Sequence, residues 1–197
     1  MIQRLQSAFV DFYRLEYGEL FCLLAAATLC FLLLQEYCRG KRWWKLLAGA
    51  VLLAWALLAV YTTVASRGET DNFGCQLIPF HSYREIRNGG NPEIYRSNLM
   101  NAVLFYPGGL LLTSLLPVKW PRWVRVLLAT LLCGTLSAGI EYAQYLWQLG
   151  RVEIDDVIHN TAGAVLGGLA ALMMPLLLRF AGLLKILRDR CFPEKNQ

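Results

Sequence analysis

LLAGAVLLAWALLAVYTTVAS, residues 46–66, contains no charged side chain across its whole length. A bilayer's hydrocarbon core needs about 20 apolar residues of helix to cross it, and this run meets that length outright. Working outward, four more uncharged stretches follow the same pattern: Leu20 to Gln35, Ser97 to Val118, Val126 to Ile140, and Val157 to Leu178. The first gains length from Tyr17 and Gly18. The fourth spans only if Glu141 is tolerated and the helix continues to Trp147. With 56% hydrophobic and 17% charged residues in 197, a soluble bundle with five such buried helices would have almost no polar surface left. The expectation is an all-α, polytopic transmembrane bundle of about five spans.

Lys and Arg collect on cytoplasmic connections, and here the charges alternate. Arg39, Lys41, Arg42 and Lys45 follow the first span; Lys119, Arg122 and Arg125 follow the third; Arg179, Lys185, Arg188, Arg190 and Lys195 follow the fifth. That is twelve basic residues on one side against seven on the other, which places the N-terminus outside and the C-terminus inside. Trp43, Trp44, Trp120 and Trp123 flank the basic ends of the spans, as an interfacial aromatic belt does. The basic pI of about 9.0 follows from these flanks and calls for no nucleic-acid partner.

Residues 1–19 hold Ile2, Leu5, Phe9 and Phe12 at helical spacing among five charges, which predicts an amphipathic surface helix rather than a cleavable signal peptide. Residues 20–50 carry the first span and its basic loop, 50–178 the membrane domain, and 179–197 a basic tail. The six cysteines show no paired spacing and imply neither a disulfide framework nor a zinc site. No motif calls for a cofactor, and nothing sets an oligomeric state.

Polar residues gather where the spans meet the outer face. Asn98 and Asn101 share a helix face, as do Glu141, Gln144 and Gln148; Asp155 and His159 are four apart, as are Asp156 and Asn160. Charges at membrane depth normally face the bundle interior or a watery cavity. This predicts an outward-facing polar pocket of Glu141, Gln144, Arg151, Asp155, Asp156, His159 and Asn160, with Asn101 opposite. Each residue also has a plain structural use: Asp155 and Asp156 complement a helix dipole, and Gln144 and Asn101 bond between helices. Gly163 with Gly167, and Ala164 with Gly168, allow close helix approach. Pro107-Gly108-Gly109 predicts a kink or break in the third span, with the Val103 carbonyl freed.

The Thr-rich end of span two running into Arg67, the Leu77-Ile78-Pro79-Phe80 loop, Asn101 through Pro107-Gly108, and Glu141-Tyr-Ala-Gln144 followed by Arg151, Asp155, Asp156, Asn160, Thr161 and Gly163 stand in an order that resembles VanZ-like membrane proteins. That family includes a glycopeptide-resistance accessory protein. The resemblance covers Ala50 to Leu172 and implies a bacterial multi-pass plasma-membrane protein acting at the cell envelope; some relatives lower teicoplanin susceptibility. The chain departs from relatives that carry a longer acidic stretch between Arg151 and the paired Asp.

Three functions compete, the weakest being transport through the bundle, for which five spans offer no inverted-repeat symmetry. In one, the pocket binds a lipid or cell-wall precursor headgroup, with Arg67, Arg96 and Arg151 holding phosphate or carboxylate and Asn101, Glu141, Gln144, Asp155, Asp156 and Asn160 beside them. In a second, a membrane-embedded hydrolase or transferase acts on a lipid-linked substrate, with Glu141, Asp155, Asp156 and His159 as candidate acid/base residues. Against the second, no Gly-x-Ser-x-Gly or His-Glu-x-x-His motif is present.

Overall fold

The computed structural model describes residues 15–38, 41–66 and 73–173. The N-terminal segment before Leu15, Arg67 and the basic tail lie outside the described residues, as does the stretch 180–187. Six helices are described. Helix α1 is Tyr17–Tyr37, and α2 is Arg42–Val60, continued by a π-helical turn over Tyr61–Ala65. Helix α3 is the short His81–Arg87. Helix α4 is Glu93–Leu115, α5 is Arg122–Leu146 and α6 is Ile154–Ala170.

The five long helices coincide with the five apolar runs. The first begins at Tyr17, taking in the Tyr17 and Gly18 from which its apolar run gains length: Glu16 is the N-cap, in a capping box where the Glu19 carboxylate accepts from the Glu16 N–H. Among the described residues three segments, α1, Arg42–Ala65 and α5, are long and apolar enough to cross a membrane. Helix α4 is diluted by Glu93, Arg96, Asn98 and Asn101. Helix α6 has 17 residues and is capped at Ala171.

Helices α4 and α6 meet backbone to backbone. A Cβ on Gly163 would stand 2.0 Å from the Ala102 carbonyl oxygen, one on Gly167 2.0 Å from that of Tyr106, and one on Gly109 1.9 Å from that of Ala164. Only residues without a Cβ permit that approach. Of the kink or break expected at Pro107, the break does not occur, since α4 runs through it. Instead the Pro-Gly-Gly stretch is a seat: the Trp55 ring fills the space beside Gly108 and its indole N–H donates to the Leu104 carbonyl at 2.7 Å. Trp55 also packs edge-on against the fully buried Phe105. Helix α1 lies against this assembly through Leu20 with Met100 and Val103, and Leu32 with Leu110 and Ala171.

The all-helical expectation misses one element. Strands β1, Gly74–Gln76, and β2, Arg151–Glu153, pair in parallel with Gly74 opposite Arg151 and Gln76 opposite Glu153. They join the connection after α2 to the turn between α5 and α6, across the same end of the bundle.

Candidate functional site

The ends of α2 and α5 and the starts of α4 and α6 converge at that end. There the structure collects most of the predicted polar residues and shows what each one does. Asp155 is 2% exposed. Its Oδ1 accepts from the Phe80 N–H, and its Oδ2 from the Ser82 N–H at 2.8 Å and the Ser82 hydroxyl at 2.6 Å. A carboxylate with three donors is satisfied as an anion. It works as a tether, fastening the start of α3 to the start of α6. Asn98 completes the junction by donating to the Ser82 hydroxyl oxygen at 3.0 Å.

That tether holds an unusual backbone. Phe80 adopts φ +59°, a left-handed conformation costly for a bulky side chain unless its surroundings impose it. The bond from its own N–H to Asp155 is part of what imposes it.

The remaining predicted residues are distributed as follows. The Asn101 amide donates to Asp156 at 2.7 Å, joining α4 to α6. Glu141, buried, accepts from the Glu153 N–H at 3.0 Å and so anchors β2. The Gln144 amide donates to the Thr63 carbonyl in the π-helical turn at 2.8 Å, and the Asn160 amide to the Ser137 hydroxyl at 2.8 Å. Two buried acceptors, Gln144 Oε1 and Asn160 Oδ1, have no hydrogen-bond partner among the described residues. Gln148 does not share the Glu141–Gln144 face. It takes φ +52° and ends α5, with the Leu149 N–H closing back on the Gln144 carbonyl at 3.0 Å.

The arginines separate. Arg96 donates to the Leu15 carbonyl and lies over the Tyr17 ring, so it serves the start of α1. Arg151 is half exposed and pairs with Glu153 at 3.3 Å. Burial raises the Glu153 pKa above its ordinary value, with the Asp155 and Glu85 carboxylates adding to the rise and Arg151 and His81 opposing it.

His159 Nδ1 stands 2.6 Å from the Asp155 backbone carbonyl. A carbonyl can only accept, so Nδ1 carries hydrogen, and in the neutral ring Nε2 accepts from the Tyr83 hydroxyl at 2.8 Å. The sequence gives no sign of Tyr83 or Tyr95, and Arg84 and Arg87 enter it only as charges. Together with Pro79 and Phe80 they line an open cleft of about 650 Å³ beside α3. The three-residue spacing of Arg84 and Arg87, which shares a helix face, was the available signal. No group of three His, Cys, Asp or Glu side chains among the described residues could hold a metal ion.

Long apolar helices, a glycine seam and a polar end roofed by a tethered loop define a helical membrane protein. Residues 43–178 match the VanZ/LLP1 family, which is more than half of the chain. The protein belongs to the VanZ/LLP1 family. No curated protein and no solved structure matches it.

Proposed function

We propose that this chain is a five-span protein of the bacterial plasma membrane whose polar end faces outward and binds the headgroup of a lipid or lipid-linked cell-wall precursor, lowering susceptibility to teicoplanin. The observation that carries the reading is the polar end itself. Asp155, Asn98, Asn101, Glu141 and Gln144 bond to partners on other segments, so the end is a built platform, not a scatter of solvated side chains. The basic loops and all four belt tryptophans belong to the opposite ends of α2 and α5, which supports an outward platform. Helices α4 and α6 then count as spans whose polar starts sit at headgroup depth.

A second reading is catalytic. The Asp155 carbonyl, His159 ring and Tyr83 hydroxyl line up as orienting group, base and hydroxyl, and Tyr83 also lines a cleft with two arginines. Turnover of a lipid-linked phosphate that disappears in Tyr83→Phe and His159→Gln would select it over binding alone.

The test of the main reading is teicoplanin sensitivity in a susceptible host expressing wild type, Glu141→Ala, Arg151→Ala or Asp156→Ala at matched membrane levels. Protection by wild type and its loss in the variants is the expected result. Variants that protect as well as wild type would remove the polar end from the function, and an unprotective wild type would remove the phenotype.

A further inference from the structure

We propose that the cleft beside α3 binds a phosphate group, with Arg84 and Arg87 as its donors and Tyr83 and Tyr95 as its walls. This deepens the headgroup reading and rests on it, and it moves the point of binding away from the buried polar cluster to a surface that no part of that reading assigns.

The arginines at this end differ in what holds them. Arg96 is directed to the Leu15 carbonyl and Arg151 to Glu153. Arg87, by contrast, is exposed and has no hydrogen bond or ion pair with any described residue. Arg84 gives one Nη2 donor to the Pro79 carbonyl, which fixes its guanidinium at the cleft wall while its other donors stay unused. Glu85, between them in sequence, faces His81 at 3.7 Å and not the cleft. Two planar forks one helical turn apart suit a tetrahedral phosphate or a diphosphate better than a single carboxylate, which one fork satisfies.

The walls are aromatic and half open. Tyr83 and Tyr95 cross at 5.8 Å, and Phe80 stands 6.3 Å from Tyr83; the three are 39%, 48% and 54% exposed. Such rings hold the sugar or glycerol next to a phosphate and sit comfortably at headgroup depth. The volume lies within the range of small-molecule sites.

The cleft is also preorganised. Its floor helix is too short to stand alone and is pinned by buried Ser82 and Asp155, so binding need not first order the arginines. The phosphate could belong to a lipid or arrive free in solution, and the donors are the same.

Hydrogen–deuterium exchange on the full chain in phosphatidylcholine nanodiscs tests this, with either phosphatidylglycerol in the disc or inorganic pyrophosphate in solution as probe. Peptides covering residues 79–95 are the readout. At ten times the dissociation constant, exchange there is expected to slow about tenfold. Slowing by pyrophosphate means that a soluble phosphate suffices; slowing by phosphatidylglycerol alone means that the anchored headgroup is required. Arg84→Gln/Arg87→Gln is expected to abolish the effect at 79–95 while leaving lipid-dependent slowing at the basic loops, 41–45 and 119–125, intact. Arg87→Gln alone, which breaks no described bond, is expected to weaken it severalfold, and it covers the case of a misfolded double variant.

Slowing of 79–95 that survives in Arg87→Gln and the double variant overturns the proposal. Slowing of 97–101 and 141–156 without 79–95 also overturns it but leaves the headgroup reading standing. No slowing anywhere at this end fells both.

Discussion

The two places where α4 meets α6 are built on opposite principles. Along the glycine seam, Gly109, Gly163 and Gly167 bring backbones within van der Waals reach and leave no room for side chains. At the polar end the same two helices are joined by side chains instead: Asn101 donates to Asp156, and Asp155 accepts from a third segment altogether. The seam makes its contact by what is missing and tolerates nothing larger. The polar end makes its contact by directed bonds and fails one bond at a time. Rigidity below and a discrete set of latches above let a soft loop be held without softening the bundle.

The sharpest way to break this contrast is Gly163→Leu. The new side chain must displace the Ala102 carbonyl, and the loss is expected to be about 3 kcal/mol or more, read as loss of the cooperative melting transition in detergent. A variant that melts like wild type would show that the seam has slack. Asp155→Ala comes next. It strands the Phe80 and Ser82 N–H groups, at a cost of about 2 kcal/mol, and should expose residues 73–92 to limited proteolysis while the helical circular dichroism stays at the wild-type level. Equal protection of that segment in both proteins would count against the tether. The smallest effect is a pH dependence at Glu153. Its folded pKa is raised, so the protonated form is favoured in the folded state. Stability from this group is complete below its ordinary value of 4.5 and is lost as pH rises through the folded value. Glu153→Gln should flatten the melting temperature across that window, and an unchanged slope would reassign the dependence.

How much of this could be read in advance divides along the same line. The helices were legible because bilayer-length apolar runs have few other uses, and the glycine pairs named the seam correctly because spacing alone encodes a helix face. The Asp155–Asn160 stretch was located, yet its chemistry was not. Asp155 looks the same in sequence whether it complements a dipole, moves a proton or ties down Ser82, and only the distant partner decides. Three-residue strands carry no periodicity, so β1 and β2 were invisible. Phe80 gives no sign of a left-handed backbone, because the residue is the wrong type for it and the cause lies 75 positions away. In sequence Arg84 and Arg87 are two charges among seven on that side; the structure adds that Arg84 is held by the Pro79 carbonyl with donors to spare and that Arg87 has no bond to any described residue.

The parallel β1–β2 pair sets an order of events during synthesis. Chains emerge N-terminus first, and Gly74 has no strand partner until Arg151 exists. Ser82 likewise waits for Asp155. The first helices can therefore form and pack while the segment between them and α4 has nothing to close on. The roof over the polar end, and the arginine cleft it carries, come into being only after α5 and α6 are in place. A molecule stalled or truncated before that point is a helical fragment without the site, so the cleft is itself a report that synthesis has passed Asp155.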